Sequence, residues 1–191
     1  MVKFIYGVEK MNVYIIIDMQ NDFIDGALKN EDAMKIVEPM CSFINKIKDM
    51  KNSYLVATQD THQPSYLETN EGKHLPFVHC VENTRGWEIN DEIKKCITNN
   101  AMIIRKPNFG ISSENWAKYL KDLNPERIIL MGVCTDICVV SNALSLKTAF
   151  PEIPVIVLSD LCAGVTIETH DAGLLTMKMC QVDLMLSKDI L

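Results

Sequence analysis

The chain has 191 residues, a length that suits a single domain with one hydrophobic core. Hydrophobic residues make up 48% of it and charged residues 23%, which is typical of a folded globular protein and excludes a disordered or fibrous chain. Its 19 basic and 25 acidic residues give a net charge of −6 without any basic run, so we expect neither nucleic acid nor an anionic membrane as partner. The longest apolar runs are far shorter than the roughly 20 residues of a membrane span.

The start of the chain and its cysteine count both favour the cytoplasm. Residues 1–10 lack the apolar segment and small-residue cleavage site of a secretion signal. We interpret them as a short extension of one domain that covers 1–191, or as a non-native start ahead of Met11. The seven cysteines are an odd number in a chain long enough to fold without disulfides, which indicates reduced thiols.

Short β-rich apolar runs alternate with helical patterns along the chain. The predicted strands are residues 13–17, 54–58, 102–105, 127–131, 155–158 and 182–186. The predicted helices, in which apolar residues recur once per helical turn, are 33–50, 113–123, 136–150 and 166–179. This alternation predicts an α/β fold, with a single-domain parallel sheet of about six strands and helices on both faces.

The connection 59–89 departs from this alternation. It is about 30 residues long with weak periodicity, and connections of that length in a compact domain are usually functional. It also contains three of the four histidines of the chain, which are His62, His74 and His79.

Polar residues follow four successive predicted strands. Asp18 follows the first strand, Asp60 the second and Lys106 the third, and the segment 132–135 follows the fourth. A single charged residue in such a place is usually a loop residue or a helix cap. Open α/β sheets bind ligands at the carboxyl ends of their strands, so four polar groups along that edge indicate a functional site.

Cys138 lies close to the start of a predicted helix. Thr135 is the expected N-cap, with Asp136 at N1 and Cys138 at N3. A thiol in that position feels the positive end of the helix dipole, which favours the thiolate and hence a nucleophile. The backbone amides of Cys134 and Cys138 could also hold an oxyanion during acyl transfer.

A metal site is the second prediction from these residues. Asp60 and His62 are two apart at a strand end, so both side chains lie on the same side of an extended backbone. With one more histidine from the long connection, they form a set of two histidines and one carboxylate that leaves coordination positions open. On spacing alone, His79 and His74 compete for the third place, and we interpret His170, on a predicted helix, as structural.

The chain resembles the isochorismatase-like cysteine hydrolase superfamily and, within it, the nicotinamidases. The resemblance is carried by five segments in this order: IDMQNDF at 17–23, TQDTH at 58–62, HCVENTRGW at 79–87, RK at 105–106 and GVCTDICV at 132–139. These segments extend across nearly the whole length of the chain.

The resemblance implies the roles of the site residues. It makes Asp18, Lys106 and Cys138 a catalytic triad for the hydrolysis of a small-molecule amide, with nicotinamide as the substrate. It also implies a cis peptide between Val133 and Cys134 that turns the Cys134 amide towards the oxyanion. The thiol argues against hydrolysis of isochorismate itself, because enzymes with that activity need no cysteine nucleophile.

The same resemblance implies the metal ligands and the substrate pocket. It makes Asp60, His62 and His79 the ligands of one divalent ion, for which zinc fits best and manganese or iron are alternatives. Glu71 is expected to approach this ion directly or through a water. The implied pocket is lined by Phe23, which packs on the substrate, and Val133.

Three other functions remain open at this point. Pro76 stands where many nicotinamidases carry a tryptophan, so the first alternative is a related hydrolase of N-carbamoyl or ureido compounds. A non-haem iron oxygenase would also use two histidines and a carboxylate, but it would leave Lys106 and Cys138 without a role. A non-catalytic binding subunit would not need an intact triad. The sequence leaves the oligomeric state open, a homo-oligomer included.

Overall fold

The computed structural model describes residues 9–97 and 101–190 of the chain. Its strands form one parallel sheet of six in the order β3-β2-β1-β4-β5-β6. The strands are β1 (Met11–Ile17), β2 (Ser53–Asp60), β3 (Met102–Lys106), β4 (Pro125–Val133), β5 (Val155–Ala163) and β6 (Asp183–Met185). The predicted fold class is therefore confirmed, with crossover connections joining the parallel neighbours.

Helices cover both faces of the sheet. They are α1 (Asn21–Ile24), α2 (Glu31–Ile47), α3 (Asn70–His74), α4 (Asp91–Cys96), α5 (Ser113–Leu120), α6 (Val140–Ala149) and α7 (Ile167–Met179). Shorter turns accompany them: two 3₁₀ turns, Tyr66–Glu68 and Ser187–Asp189, and a π-helical turn, Thr135–Val139. None of the helices among the described residues is long and apolar enough to cross a membrane.

The central strands β1, β2, β4 and β5 send alternate side chains into two separate cores. Along β1, Tyr14 and Ile16 pack with α2 and α4 on one face, while Val13, Ile15 and Ile17 pack with α5, α6 and α7 on the other. All five side chains are at most 2% exposed. Strands buried on both faces read as continuous apolar runs, which explains why the sequence pattern identified them.

The sheet extends further towards its carboxyl edge than the sequence predicted. Asp60 and Lys106 are the last residues of β2 and β3, and do not follow those strands. The short helices α1 and α4 were not predicted, and the connection after β2 contains a 3₁₀ turn and α3. Of the predicted N-terminal extension, residues 1–8 lie outside the described part of the chain, and β1 begins at Met11.

The order of the strands reverses between β1 and β4. From β1 the chain proceeds outwards to β2 and β3, then returns to β4 on the other side of β1 and continues to β5 and β6. Loops diverge at such a switch point and leave a crevice at the carboxyl edge of the sheet. Asp18 follows β1, and Cys134 follows β4, at this crevice.

Gly132 lies opposite Ile17 where β1 and β4 pair at that crevice. Its φ is +127°, and a Cβ there would overlap the Ile17 carbonyl oxygen. Gly132 therefore permits a close approach of the two backbones that no other residue allows.

Replacing Gly132 with alanine is expected to lower the free energy of unfolding by about 3 kcal/mol or more, because both the positive φ and the overlap oppose a Cβ. Gly110→Ala is the matched control, since Gly110 has no positive φ and its nearest contact would be Ser141 Cβ at 3.0 Å. Urea unfolding of both variants measures the difference, and equal small losses would contradict the prediction.

Candidate active site

The carboxyl edge of the sheet brings Asp18, Lys106 and Cys138 together. The Lys106 ammonium lies 2.7 Å from Asp18 Oδ2 and 3.6 Å from Cys138 Sγ. The contact with Asp18 is a close ion pair whose angle departs from that of a regular hydrogen bond. The three residues are at most 6% exposed, so these charges interact with little screening by water.

Thr58 fixes the orientation of Asp18. Asp18 adopts a positive φ of 48° directly after β1, and its amide donates to Thr58 Oγ1 at 3.2 Å. The Thr58 hydroxyl in turn donates to Asp18 Oδ1 at 2.7 Å. Because β2 pairs with β1, this pair of hydrogen bonds holds the carboxylate at the strand end.

Lys106 has further partners beyond the triad. Its ammonium donates to the Asn108 carbonyl at 3.0 Å and lies 3.4 Å from Asp60 Oδ1. It therefore lies between two buried carboxylates, those of Asp18 and Asp60. A buried ammonium is tolerated when its hydrogen bonds and charge are satisfied in this way.

Burial dominates the titration of the three groups. It raises the pKa of the Asp18 carboxyl above its usual range, although the Lys106 charge opposes that shift. Burial also raises the pKa of the Cys138 thiol well above its ordinary value, and the Asp18 charge adds to the rise. For Lys106, burial acts to lower the pKa, but the charges of Asp18, Cys138 and Asp60 outweigh it and raise the pKa. The raised pKa of Cys138 thus favours a neutral thiol at rest.

One expectation about the start of the Cys138 helix is wrong. The N-cap is Cys134 and not Thr135, because the helix begins with the π-helical turn Thr135–Val139. The Thr135 hydroxyl is instead paired with His170 Nδ1 at 2.8 Å, which gives that histidine the structural place predicted for it. Burial raises the pKa of the Cys138 thiol and so opposes the thiolate that the helix end favours.

The peptide bond between Val133 and Cys134 is cis, as the resemblance implied. The Cys134 carbonyl accepts hydrogen bonds from the Ile137 and Val139 amides at 3.1 and 3.0 Å. The use of the Cys134 and Cys138 amides as an oxyanion site stays a prediction.

A second cluster lies next to the triad. One ligand atom from each of Asp60, His62, Glu71 and His79 lies within 4.8 Å of all the others. Asp60 Oδ2 is 2.9 Å from His62 Nε2 and 3.6 Å from His79 Nε2, and Glu71 Oε1 is 3.7 Å from His62 Nε2. Two imidazoles and two carboxylates at this separation fit a divalent metal ion with N and O ligands.

The electrostatics of the cluster agree with that fit. Burial acts to raise the pKa of Asp60, but hydrogen bonds from His62 and His79 and the charge of Lys106 hold it well below its usual range. Asp60 is therefore ionised, which is the form of a carboxylate that binds a cation. His79 Nδ1 contacts the Phe77 carbonyl at 2.8 Å, which leaves Nε2 directed at the cluster.

The alternative third histidine does not join the cluster. His74 is exposed at the end of α3, and its Nδ1 contacts the Asn70 carbonyl at 2.8 Å. Among the described residues, the group that could hold a metal contains His79 and Glu71 but not His74.

The two predicted pocket residues are both buried beside this site. Val133 is 1% and Phe23 is 8% exposed, and the Phe23 ring meets the His79 imidazole edge-on at 5.7 Å. Pro76, the residue in place of the expected tryptophan, is exposed. An apolar ring therefore lies beside one histidine of the cluster, while the Pro76 position offers no buried ring.

Two residues that organise the cluster were given no role from the sequence. The ring of Tyr66 is 1% exposed and packs against His62 at 4.6 Å and His79 at 4.9 Å. The Gln20 carboxamide holds both sides of the Asp60 backbone, accepting from its amide at 2.7 Å and donating to its carbonyl at 2.9 Å. The available signal for Gln20 was its place in the segment IDMQNDF, two residues after Asp18.

A model of the isochorismatase domain matches residues 12–189. The chain belongs to the isochorismatase family. The match begins within β1 and ends after β6, so it includes every residue of the triad and of the metal-ligand cluster.

Individual members of the family are similar over most of their length. A nicotinamidase of Saccharomyces cerevisiae is 27% identical over 178 residues, which cover 71% of this chain and 81% of the yeast protein. The structure of Pyrococcus horikoshii pyrazinamidase in complex with zinc has a TM-score of 0.78 at 29% identity, covering 92% of this chain and 98% of that one. PnC1 from L. infantum, in complex with nicotinate, has a TM-score of 0.77 at 25% identity, covering 94% of each chain.

Replacing Lys106 with methionine is expected to lower the free energy of unfolding near pH 7 by about 3–5 kcal/mol, because it leaves the buried Asp18 carboxylate without its counter-charge. The loss should shrink as the pH falls towards about 4. Without the ammonium, the Asp18 pKa lies further above its unfolded value, and a raised carboxyl pKa costs stability only above that unfolded value. Urea unfolding of metal-stripped protein across this pH range measures the effect.

Lys35→Met is the matched control for this variant. Lys35 pairs with Asp32 at 2.8 Å, but the two side chains are 72% and 49% exposed. Loss of such an exposed pair should leave the urea midpoint nearly unchanged at every pH. A Lys106→Met variant as stable as this control at neutral pH would show that the buried carboxylates do not depend on the ammonium.

Proposed function

We propose that the protein is a metal-dependent cysteine amidohydrolase that converts nicotinamide and water into nicotinate and ammonia. The observation that carries the proposal is the Lys106 ammonium, which lies between the Asp18 carboxylate and the Cys138 thiol, beside a cluster of metal ligands. The nicotinamidase and pyrazinamidase names of the similar proteins support the substrate class.

In the first half of the proposed reaction, Asp18 takes the proton of the Cys138 thiol. The thiolate sulfur then bonds to the carboxamide carbon, and the carbonyl oxygen becomes an oxyanion that the Cys134 and Cys138 amides stabilise. As the oxyanion collapses, the C–N bond breaks and Asp18 returns its proton to the departing ammonia. The raised pKa of the thiol is the reason that a base is needed.

In the second half, water replaces ammonia at the carbonyl carbon. Asp18 again acts as base and removes one proton from the water, and the C–S bond of the thioester breaks to release nicotinic acid, which loses its remaining proton to the solvent as nicotinate. The Cys138 sulfur takes up the proton from Asp18, so that the site returns to its starting state. Lys106 stays charged throughout and stabilises whichever of Asp18 and Cys138 carries the negative charge.

Asp60, His62 and His79 would hold a divalent ion, with Glu71 as a fourth ligand or as the partner of a bound water. Such an ion supplies a Lewis acid that can bind the ring nitrogen of a pyridine and polarise a water. Zinc suits this set of ligands best, with manganese and iron as alternatives. The chain's own contribution to substrate binding is Phe23, whose ring can pack against the pyridine.

Ammonia release from nicotinamide, benzamide and N-carbamoyl amino acids, measured side by side with zinc-loaded protein, tests the substrate. Nicotinamide should be hydrolysed fastest, and benzamide at least about tenfold more slowly because it lacks the ring nitrogen. Cys138→Ala should abolish turnover of all substrates, while Cys180→Ala, at an exposed position, should keep it.

The outcomes of this assay separate the competing functions. Turnover of an N-carbamoyl compound with inert nicotinamide would leave the cysteine hydrolase intact and reject the nicotinamidase. Undiminished turnover by Cys138→Ala would reject the nucleophile. No turnover of any compound by the metal-loaded wild-type protein would favour a binding subunit.

His79→Ala is expected to remove the bound metal, because it takes one of two imidazoles from the cluster. Wild-type protein dialysed against zinc should retain about one ion per chain, and the variant should retain less than about a tenth of that. Elemental analysis after gel filtration gives the stoichiometry.

His74→Ala is the control for this measurement, since His74 is exposed and lies outside the cluster. It should bind zinc like the wild-type protein. If His74→Ala loses the ion and His79→Ala retains it, the proposed ligand set is incorrect.

A further inference from the structure

Asn142 is a buried polar side chain one helical turn after Cys138. It is 0% exposed, and its carboxamide uses all four of its hydrogen-bonding positions. Nδ2 donates to the Cys138 carbonyl at 2.8 Å and to the Phe109 carbonyl at 3.1 Å. Oδ1 accepts from the Ile111 amide at 3.0 Å and from the Trp116 indole at 3.2 Å. One side chain thus joins the π-helical turn that carries Cys138 to the loop 107–111.

The loop 107–111 is the direct continuation of Lys106. Its Asn108 carbonyl accepts a hydrogen bond from the Lys106 ammonium at 3.0 Å. The loop lies flat on α6, where a Cβ on Gly110 would approach Ser141 Cβ to 3.0 Å and the Ser145 hydroxyl donates to the Ile111 carbonyl at 2.6 Å. Among the α6 residues that contact this loop, Asn142 is the one that also hydrogen-bonds to the backbone of Cys138.

The sheet connects Lys106 to the nucleophile only through two intervening strands. Lys106 ends the edge strand β3, whereas Cys138 follows β4, and both β2 and β1 lie between those strands. Three strand spacings separate β3 from β4, which is roughly 14 Å. No ladder hydrogen bond connects the two strands directly, and the loop after β3 and the helix after β4 supply direct contacts between them that the sheet does not.

We propose that Asn142 is a positioning residue, which clamps the loop 107–111 onto the turn of Cys138 and thereby holds the Lys106 ammonium beside the thiol. The roles of Lys106 and Cys138 in this inference rest on the proposed function. The competing interpretation is that Asn142 only satisfies buried backbone groups, in which case its loss would affect stability alone.

Two variants separate the loop contacts from the helix contact. Asn142→Ser removes the bonds to Phe109, Ile111 and Trp116, but its hydroxyl can still reach the Cys138 carbonyl, as the Ser141 hydroxyl reaches the Ile137 carbonyl at 2.6 Å. Asn142→Ala removes all four bonds. Asn12→Ala is the matched control, because Asn12 is also a buried asparagine, 5% exposed and hydrogen-bonded to Arg127. It lies near the amino-terminal end of β1, away from the carboxyl edge of the sheet.

The first readout is the kinetics of nicotinamide hydrolysis by zinc-loaded protein. Both Asn142 variants should lower kcat by about 10- to 100-fold while KM and zinc content change by less than about twofold, since the lysine is displaced and the substrate contacts are not. Asn12→Ala should lower the melting temperature but keep kcat. Wild-type kcat in Asn142→Ser would overturn the proposal, because the loop contacts would then be irrelevant to the site.

The second readout does not depend on the substrate. Iodoacetamide alkylation at about pH 8, mapped by peptide mass spectrometry, gives the rate at Cys138 relative to the exposed Cys180 in the same molecule. This ratio should fall at least about threefold in both Asn142 variants, because the thiolate loses its facing ammonium. An unchanged or higher ratio would overturn the proposal, as would failure of both variants to fold. If wild-type protein does not hydrolyse nicotinamide, the proposed function fails and this ratio still tests Asn142.

Discussion

The buried ammonium of Lys106 is the constraint around which the site is built. It is 1% exposed, and removing a charge from water is costly unless oppositely charged and hydrogen-bonding groups surround it. Asp18, Asp60 and the Asn108 carbonyl provide those groups, and each comes from a different part of the chain. The strand order brings the first two to adjacent strand ends, and the loop after β3 folds back to provide the third.

In the proposed mechanism, this arrangement would keep the total charge of Asp18, Lys106 and Cys138 constant during proton transfer. In that mechanism, Asp18 carries the negative charge beside Lys106 before the transfer, and the Cys138 sulfur, 3.6 Å from the same ammonium, carries it afterwards. The negative charge changes place without leaving the reach of the cation. In a site with little water, a fixed counter-charge of this kind requires no solvent reorganisation as the charge moves.

The sequence predicted the parts of the molecule that have a local signature. Asp18, Asp60 and Lys106 were predicted as site residues from their positions at the ends of predicted strands, because parallel strands present their carboxyl ends along one edge of the sheet. It could not predict the roles of Tyr66 and Asn142, since a buried tyrosine in a loop and an asparagine in a helix acquire their partners only from tertiary packing. Sequence spacing also could not decide between His74 and His79 as a metal ligand, because their positions depend on tertiary packing. That decision needed either the resemblance or the fold of the connection after β2.

The carboxylate of Asp60 has a different neighbour at each oxygen, with Oδ1 3.4 Å from the Lys106 ammonium and Oδ2 2.9 Å from His62 Nε2. A divalent ion held by Asp60 would draw negative charge away from Oδ1. The Lys106 ammonium would then be less neutralised by Asp60, and its positive charge would attract Asp18 and Cys138 more strongly. Thermodynamic linkage makes this influence reciprocal, so that the protonation state of the Asp18–Cys138 pair alters the affinity for the ion by the same factor. With an ion bound as proposed, metal affinity and thiol acidity would therefore be joint properties of one coupled system, which the Asp60 side chain connects.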